Sequence, residues 1–301
     1  MKYVGIVKSL LPCLLLSFLT NAQSVLANTQ PASAEVLSVT SEPAIPVNGS
    51  PVLFRVKSGA VLRSLAGELQ KRRIAFDFDA GTGAWYGFAG IDLDTPAGRY
   101  SLKLDALALD GAPFSSVHLV TTSRARYRST TLSVPRKYLE PDPETQKRIE
   151  EERALKSEVF NNLTPVRLWS GSFAAPIVSV TTEPFGVQRT FNNVRQSVHQ
   201  GLDYRASTGS PVQAMNSGVV VLAREMFYEG GLVVIDHGHG LLSLYLHLSE
   251  FRVKEGDRVA KMQLIGLSGE SGRTTGPHLH VGIRWLGVYV DPATLLRLPL
   301  P

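Results

Sequence analysis

Six of the chain's seven histidines fall between positions 199 and 280: His199, His237, His239, His247, His278 and His280. Two spacings in this window suggest a metal. His199 and Asp203 form an H-x-x-x-D pair, and His278 and His280 form an H-x-H pair. Side chains alternate faces along a strand, so residues two apart point the same way. The stretch HLHVGIRWLGVYV is rich in β-branched and aromatic residues and reads as such a strand, which turns both imidazoles towards one site. Zinc suits imidazoles with one carboxylate, and a catalytic zinc keeps three protein ligands and one open position. Either pair alone is a weak signal, because such pairs arise by chance. The glycines around them add to it. Gly201 splits the first pair, and a glycine-rich run from Gly266 to Gly276 leads into Pro277 and His278. That run lacks the Gly-Lys-Ser/Thr ending of a phosphate loop and reads as tight turns, which suits the rim of a site.

Seven blocks occur in order: His199-Gln-Gly-Leu-Asp203, GSPVQA at 209–214, Gly218-Val, VIDHG at 234–238, Tyr245-Leu-His247-Leu-Ser249, Gly256-Asp-Arg-Val, and Thr275-Gly-Pro-His-Leu-His280. Together they resemble the lysostaphin/LytM-type family of zinc endopeptidases that cut peptidoglycan cross-bridges. The resemblance covers about residues 166–295 and includes Phe185-Gly186 and Arg189. It implies a compact antiparallel β-fold with a groove across its sheet, and one Zn²⁺ held by His199, Asp203 and His280. It also implies catalytic roles for His247 and His278. The chain departs from the pattern in one place: many members carry an aromatic residue and then Glu after the H-x-H pair, where this chain has Val281-Gly282. The departure touches local packing and not the ligand set. No H-E-x-x-H helix is present, so the base is not the Glu of that motif. Of the other histidines, His237 reads as structural at a strand end and His239 as a turn residue. Arg189, Asn193, Tyr204 and Thr275 are candidates to line the groove.

The elements that must carry this window begin far upstream. Residues 1–27 read as a secretory signal, with Lys2 and Lys8, an apolar core Leu10–Leu19 and cleavage after Ala22 or Ala27; retention as an anchor is the alternative. Removing it takes the only cysteine, Cys13, so thiol and disulfide chemistry go with it. It also takes two lysines and no acid, so the formal charge falls from +5 to +3. That mildly basic balance suits approach to an anionic wall and does not point to nucleic acid.

Residues 28–125 are expected to form an immunoglobulin-like β-sandwich. Strand-length runs lie at 36–39, 51–56, 73–78, 85–93, 99–109 and 115–122, separated by turn residues such as Thr95-Pro-Ala-Gly98 and Asp110-Gly111. His118 reads as structural there, and Trp85-Tyr86 as a core pair rather than a sugar platform. Residues 126–165 form a linker. Its basic stretch 124–136 reads as solvated, and a helix near 143–160 starts on Asp142-Pro143. Glu144–Arg148 and Glu152–Lys156 sit at i,i+4 and favour a mostly exposed helix lying along a domain surface. Residues 166–301 are the expected metallopeptidase domain, β-rich with short strands and glycine turns. The whole is a mainly β protein with a connecting helix.

The function expected is zinc-dependent hydrolysis of peptidoglycan cross-links, with the D-alanyl–diaminopimelate bond as target and stem peptides as the partner. The protein is expected to be secreted across the inner membrane to the periplasm, without stable membrane insertion after signal cleavage. The alternative is a catalytically silent or self-inhibited LytM-type activator or binding protein of cell-wall hydrolases; the sequence does not identify a regulatory protein partner. A complete ligand set speaks against the silent form.

Overall fold

The computed structural model describes residues 37–162, 164–193 and 195–301. The segment 1–27, expected to be a secretory signal, lies outside the described residues. Seven strands come first: β1 (Leu37–Glu42), β2 (Pro51–Ser58), β3 (Leu62–Leu69), β4 (Arg72–Asp79), β5 (Ala84–Gly90), β6 (Gly98–Ala108) and β7 (Pro113–Thr122). They pair in the order β1-β2-β5-β4-β3-β6-β7, every pair antiparallel. Leu102, Leu104, Ala106 and Ala108 of β6 are buried in alternation with exposed or half-buried residues, as the sequence suggests. Buried residues from both ends of the order, Val52, Phe54, Ile74, Leu104 and Val120 among them, share one core, so the sheet curls on itself like a barrel. β3 makes this a single sheet, because it pairs with both β4 and β6 and stitches together the two layers of the expected sandwich. Sequence reading misses it. Gly67, Glu68 and Ala66 carry little β-propensity, and the strand is held by Leu62, Leu65 and Leu69 turned into the core. Trp85 and Tyr86 are half-buried and pack against that core, with the Trp85 ring 5.4 Å from Phe78.

The connecting segment is more structured than its composition suggests. β8 (Ser129–Leu132) runs parallel to β10 (Gln188–Phe191), which pairs with β11 (Arg195–Val198), so part of the basic stretch becomes a strand of a three-stranded sheet. A 3₁₀ turn at Arg136–Tyr138 follows, and the Tyr138 hydroxyl donates to the Gly272 carbonyl at 2.5 Å. Helix α1 (Pro143–Asn161) starts where Asp142 accepts from the Thr145 N–H at 2.8 Å, with proline at its first turn. Its ion pairs differ from those expected. Arg148 pairs with Glu152 at 2.7 Å, Glu152 also accepts from the Phe227 N–H, and Lys156 leaves the helix surface to pair with Glu229. The tertiary partners win because Leu155, Val159 and Phe160 dock α1 on an apolar patch of the large sheet formed by Leu222, Met226, Leu232, Val234, Leu242 and Leu244.

That large sheet has ten strands. β9 (Thr181–Glu183), β12 (Leu202–Arg205), β13 (Pro211–Gln213), β14 (Gly218–Met226), β15 (Gly230–Asp236), β16 (Leu241–Phe251), β17 (Arg258–Val259), β18 (Leu264–Ser268), β19 (His278–Trp285) and β20 (Val288–Val290) build it. Its main path runs β17-β14-β15-β16-β19-β12-β9. The expected strand 278–290 is broken by a tight turn at Leu286-Gly287, where both residues have positive φ. A short helix, α2 (Pro292–Leu295), closes the chain. The seven-stranded sheet and the large sheet touch. The Phe88 and Trp285 rings stand 6.3 Å apart, the Asp291 N–H donates to the Gly49 carbonyl at 2.8 Å, and Asp77 faces both Arg167 and His239 at 3.5 Å. Among the described residues no helix is long and apolar enough to cross a membrane.

Candidate metal centre

β12 and β19 are antiparallel neighbours in a register that sets Asp203 directly opposite His280 and Arg205 opposite His278. His199 stands just past β11 and turns its ring inwards. Its Nδ1 donates to the Pro184 carbonyl at 2.8 Å, which leaves the Nε2 lone pair facing Asp203 Oδ1 at 3.0 Å and His280 Nδ1 at 3.0 Å. His280 Nδ1 and Asp203 Oδ1 are 2.7 Å apart. Two nitrogens and one oxygen thus converge from three buried or half-buried side chains. Tetrahedral zinc with bonds of about 2.0–2.1 Å spaces its ligands about 3.3 Å apart, so the three fit a metal ion after opening by a few tenths of an ångström. Burial alone would raise the Asp203 carboxyl, but hydrogen bonds and charge from His199 and His280 outweigh it and hold the group well below the usual carboxylate range. Burial pushes His280 down, so it favours the neutral ligand form.

Gly201 is required by close approach. A Cβ there would lie 2.4 Å from His280 Nε2 and 2.5 Å from the Val281 carbonyl oxygen. The other oxygen of Asp203 is also engaged. Arg189 on β10 donates to Asp203 Oδ2 at 3.1 Å and holds Glu183 with the same guanidinium. Sequence reading places Arg189 only on the groove wall and passes over Glu183. An Arg followed ten residues later by a buried His is no signal by itself, since only strand pairing brings them together.

His278 and His247 lie beside this centre, with their ring centroids 4.8 Å apart. The His278 Nδ1 contacts the Gly276 carbonyl at 2.9 Å and Thr274 Oγ1 at 3.1 Å, and its Nε2 lies 3.8 Å from Asp203 Oδ1. The His247 Nδ1 donates to the Ser271 carbonyl at 2.8 Å. Burial, helped by neighbouring His278 and His280, lowers His247 to about 3, so it rests neutral. Its position departs from strand alternation: Tyr245 pairs with Val233 and Leu248 with Gly231, so a bulge at Leu246-His247 faces the single residue Leu232.

The remaining candidates separate. Arg189 and Thr275 line the groove. Tyr204 is buried behind it, where burial pushes its hydroxyl to about 12. Asn193 sits exposed in the β10–β11 turn. His237 is a core residue, with Nδ1 on the Ser217 carbonyl at 2.8 Å and Nε2 on Ser243 Oγ at 2.7 Å. His239 packs edge-on against Trp169 and faces Asp77. His118 is half-buried on β7, 3.3 Å from Ser116 Oγ. The groove itself encloses about 600 Å³ and is walled on one side by the connecting segment, through Leu132, Val134, Lys156 and Phe160.

Residues 197–292 match the model of peptidase family M23. Over 86 residues the chain is 49% identical to the peptidoglycan DD-endopeptidase ShyA of Vibrio cholerae, covering 29% of this chain and 20% of that protein. It is 41% identical over 104 residues to the DD-carboxypeptidase/endopeptidase Mpg of Neisseria meningitidis, covering 35% and 24%. The chain thus spans about a fifth to a quarter of these curated relatives. A crystal structure of a putative M23 peptidase from Pseudomonas aeruginosa superposes with a TM-score of 0.64 at 26% identity, over 83% of this chain and 95% of that one. That match extends beyond the peptidase sheet into the N-terminal strands.

Proposed function

We propose, from the match of residues 197–292 to the model of peptidase family M23, that the protein is a zinc-dependent endopeptidase that hydrolyses peptide cross-links of peptidoglycan at the D-alanyl–diaminopimelate bond. The observation that carries this reading is the convergence of His199 Nε2, Asp203 Oδ1 and His280 Nδ1 beside two further imidazoles on the floor of an open groove. His199, Asp203 and His280 would hold the ion. When bound there, zinc would supply Lewis acidity towards the scissile carbonyl and the attacking water. The protein's own groups do the rest. His278, whose Nδ1 lies against a carbonyl and a hydroxyl, keeps Nε2 free to accept a proton from the attacking water. His247 is tied at Nδ1 to Ser271, so its Nε2 is the atom to steady the oxyanion or pass a proton to the leaving amine. Arg189 keeps Asp203 Oδ2 occupied so that Oδ1 faces inwards.

The name of the Vibrio cholerae relative supports peptidoglycan as substrate, and a peptidoglycan substrate fits action outside the cytoplasm, for which we take the periplasm. A leader at 1–27, a β module at 28–125, a linker at 126–165 and a peptidase domain at 166–301 complete the proposal. The test is mass spectrometry of purified cross-linked muropeptides after incubation with the zinc-loaded chain. Cleavage between D-alanine and diaminopimelate that stops with a chelator is expected. Unchanged muropeptides from a zinc-loaded chain would remove the endopeptidase reading in favour of a silent wall-binding protein.

A further inference from the structure

Strand β12 turns Leu202 and Tyr204 into the core, so Asp203 and Arg205 share the opposite face, the one that carries the metal centre. In the β19 register Arg205 is directly opposite His278. Opposite residues of an antiparallel pair hold their Cβ atoms about 5 Å apart on one side of the sheet. The backbone of Arg205 is fixed from its other side as well. Its N–H donates to the Val180 carbonyl at 2.9 Å, and its own carbonyl accepts from Ser179 Oγ at 2.5 Å. The residue is exposed and lines the groove, so a ligand lying there reaches it.

The other cations of the groove are engaged within the protein. Lys156 pairs with Glu229, Arg189 holds Glu183 and Asp203, and Arg273 lies over the Phe191 and Tyr228 rings at 4.8 Å from each. Arg205 forms neither an ion pair nor a side-chain hydrogen bond among the described residues. Along β19 the groove therefore changes character. It offers a cation beside His278, then the ligand His280, then an apolar floor at Gly282, whose neighbours across the β16 register are Leu244 and, opposite His280, Leu246. A Cβ at 282 would find nothing closer than the Gln200 carbonyl oxygen at 3.5 Å, so that floor is open.

A D-alanyl–diaminopimelate cross-link is lopsided in the same sense. Its acyl side is an alanine with a methyl group. On the leaving side the amide nitrogen is bonded to a carbon that also carries a free carboxylate, so an anion sits two bonds from the nitrogen that must depart. We propose that Arg205 is a specificity-determining residue that binds this leaving-side carboxylate, while the D-alanyl methyl lies on the apolar floor at Gly282 and Leu244. This rests on the endopeptidase reading above. A guanidinium matches a carboxylate with two parallel N–H bonds. Such a pair contributes little in open water, and a seated substrate removes water from it. The contact also sets direction, because it brings the leaving amine to the His278 end of the centre. A cross-link amidated at that carbon loses the anion and with it the preference.

Titration calorimetry of the zinc-loaded full chain carrying His247→Ala, whose low turnover leaves the ligand intact, tests this with three cross-linked muropeptide dimers. One has all its carboxylates free, one is amidated on the carbon that bears the scissile nitrogen, and one is amidated on a glutamate carboxylate instead. The first and third are expected to bind about tenfold more tightly than the second. Adding Arg205→Gln should erase that difference, and Arg205→Lys, which keeps the charge, should retain part of it. Equal affinity for the first two dimers, a preference that follows the glutamate carboxylate, no binding of any dimer, or an equal loss for all three with Arg205→Gln overturns the proposal. Cleavage by the chain with His247 intact is measured alongside. If that chain cuts no dimer while the Arg205-dependent preference holds, the endopeptidase reading fails and the carboxylate site stands. If it cuts them and binding shows no preference, the site falls and the endopeptidase reading stands.

Discussion

At His247 the backbone lies in the left-handed region, with φ +64°, which few residues other than Gly adopt, although His, like Asn and Asp, does so more often than most. Such a conformation costs on the order of 1–3 kcal/mol and persists where the surroundings over-determine it. Here the bulge opposite Leu232 and the bond to Ser271 do so, and they turn the imidazole towards His278. Replacing His247 with Ala should lower turnover at least about a hundredfold while zinc stoichiometry stays at one, measured by muropeptide cleavage and metal analysis of the same sample. Arg189→Ala acts differently. It frees Asp203 Oδ2, so zinc affinity measured by chelator competition should fall by about 10–100-fold. Gly201→Ala drives a methyl into His280 and the Val281 carbonyl, and should cost about 1–3 kcal/mol in denaturant unfolding as well as weakening metal binding.

Among the elements, β8 depends on contacts that no local pattern announces. Asn192 in the β10–β11 turn donates to the Val134 carbonyl and accepts its N–H, each at 2.9 Å, which fixes the chain just beyond β8. Asn192 itself has φ +49°, which asparagine tolerates better than alanine. Both effects act in one direction, so Asn192→Ala should cost about 1–3 kcal/mol. Amide hydrogen exchange should show the loss first in β8 and β10, and unchanged protection there would refute this account of the strap. Helix α1 follows a similar logic. Its own sequence offers i,i+4 pairs, and it takes its fixed place from Phe160, Lys156 and Glu152 meeting the large sheet.

For the molecule as a whole, two sheets share one apolar core, and the contact is tight at Gly90, where a Cβ would stand 2.7 Å from Val290 and 2.9 Å from Val288. Calorimetry should therefore show one cooperative transition, and Gly90→Val should split it into two. Acid should weaken the fold through His237. Burial lowers this fully enclosed imidazole to about 4, against the bond to Ser217 and the charge of Asp236, which pull it up. The unfolded chain binds the proton near the ordinary value of about 6.5 and the folded chain does not. Stability is thus intact above pH 6.5 and declines as pH falls towards 4, by on the order of 3 kcal/mol from this residue. His237→Gln should flatten that part of the profile, and an unchanged slope would discard the assignment.

By itself the sequence determined the mainly β class, the helix start at Asp142-Pro143 and six of the seven N-terminal strands, and its ordered motifs pointed by resemblance to the five residues that the fold brings together. These are legible because capping, strand alternation and ordered motifs are properties of neighbours in the chain. What only the tertiary structure decided are pairings between distant segments. They include β3 joining two layers into one sheet, Lys156 forsaking Glu152 for Glu229, Arg189 on Asp203, the bulge that aims His247, and the connecting segment as a wall of the groove. In each case the local preference is worth a few tenths of a kcal/mol, and burial against a partner far along the chain outweighs it.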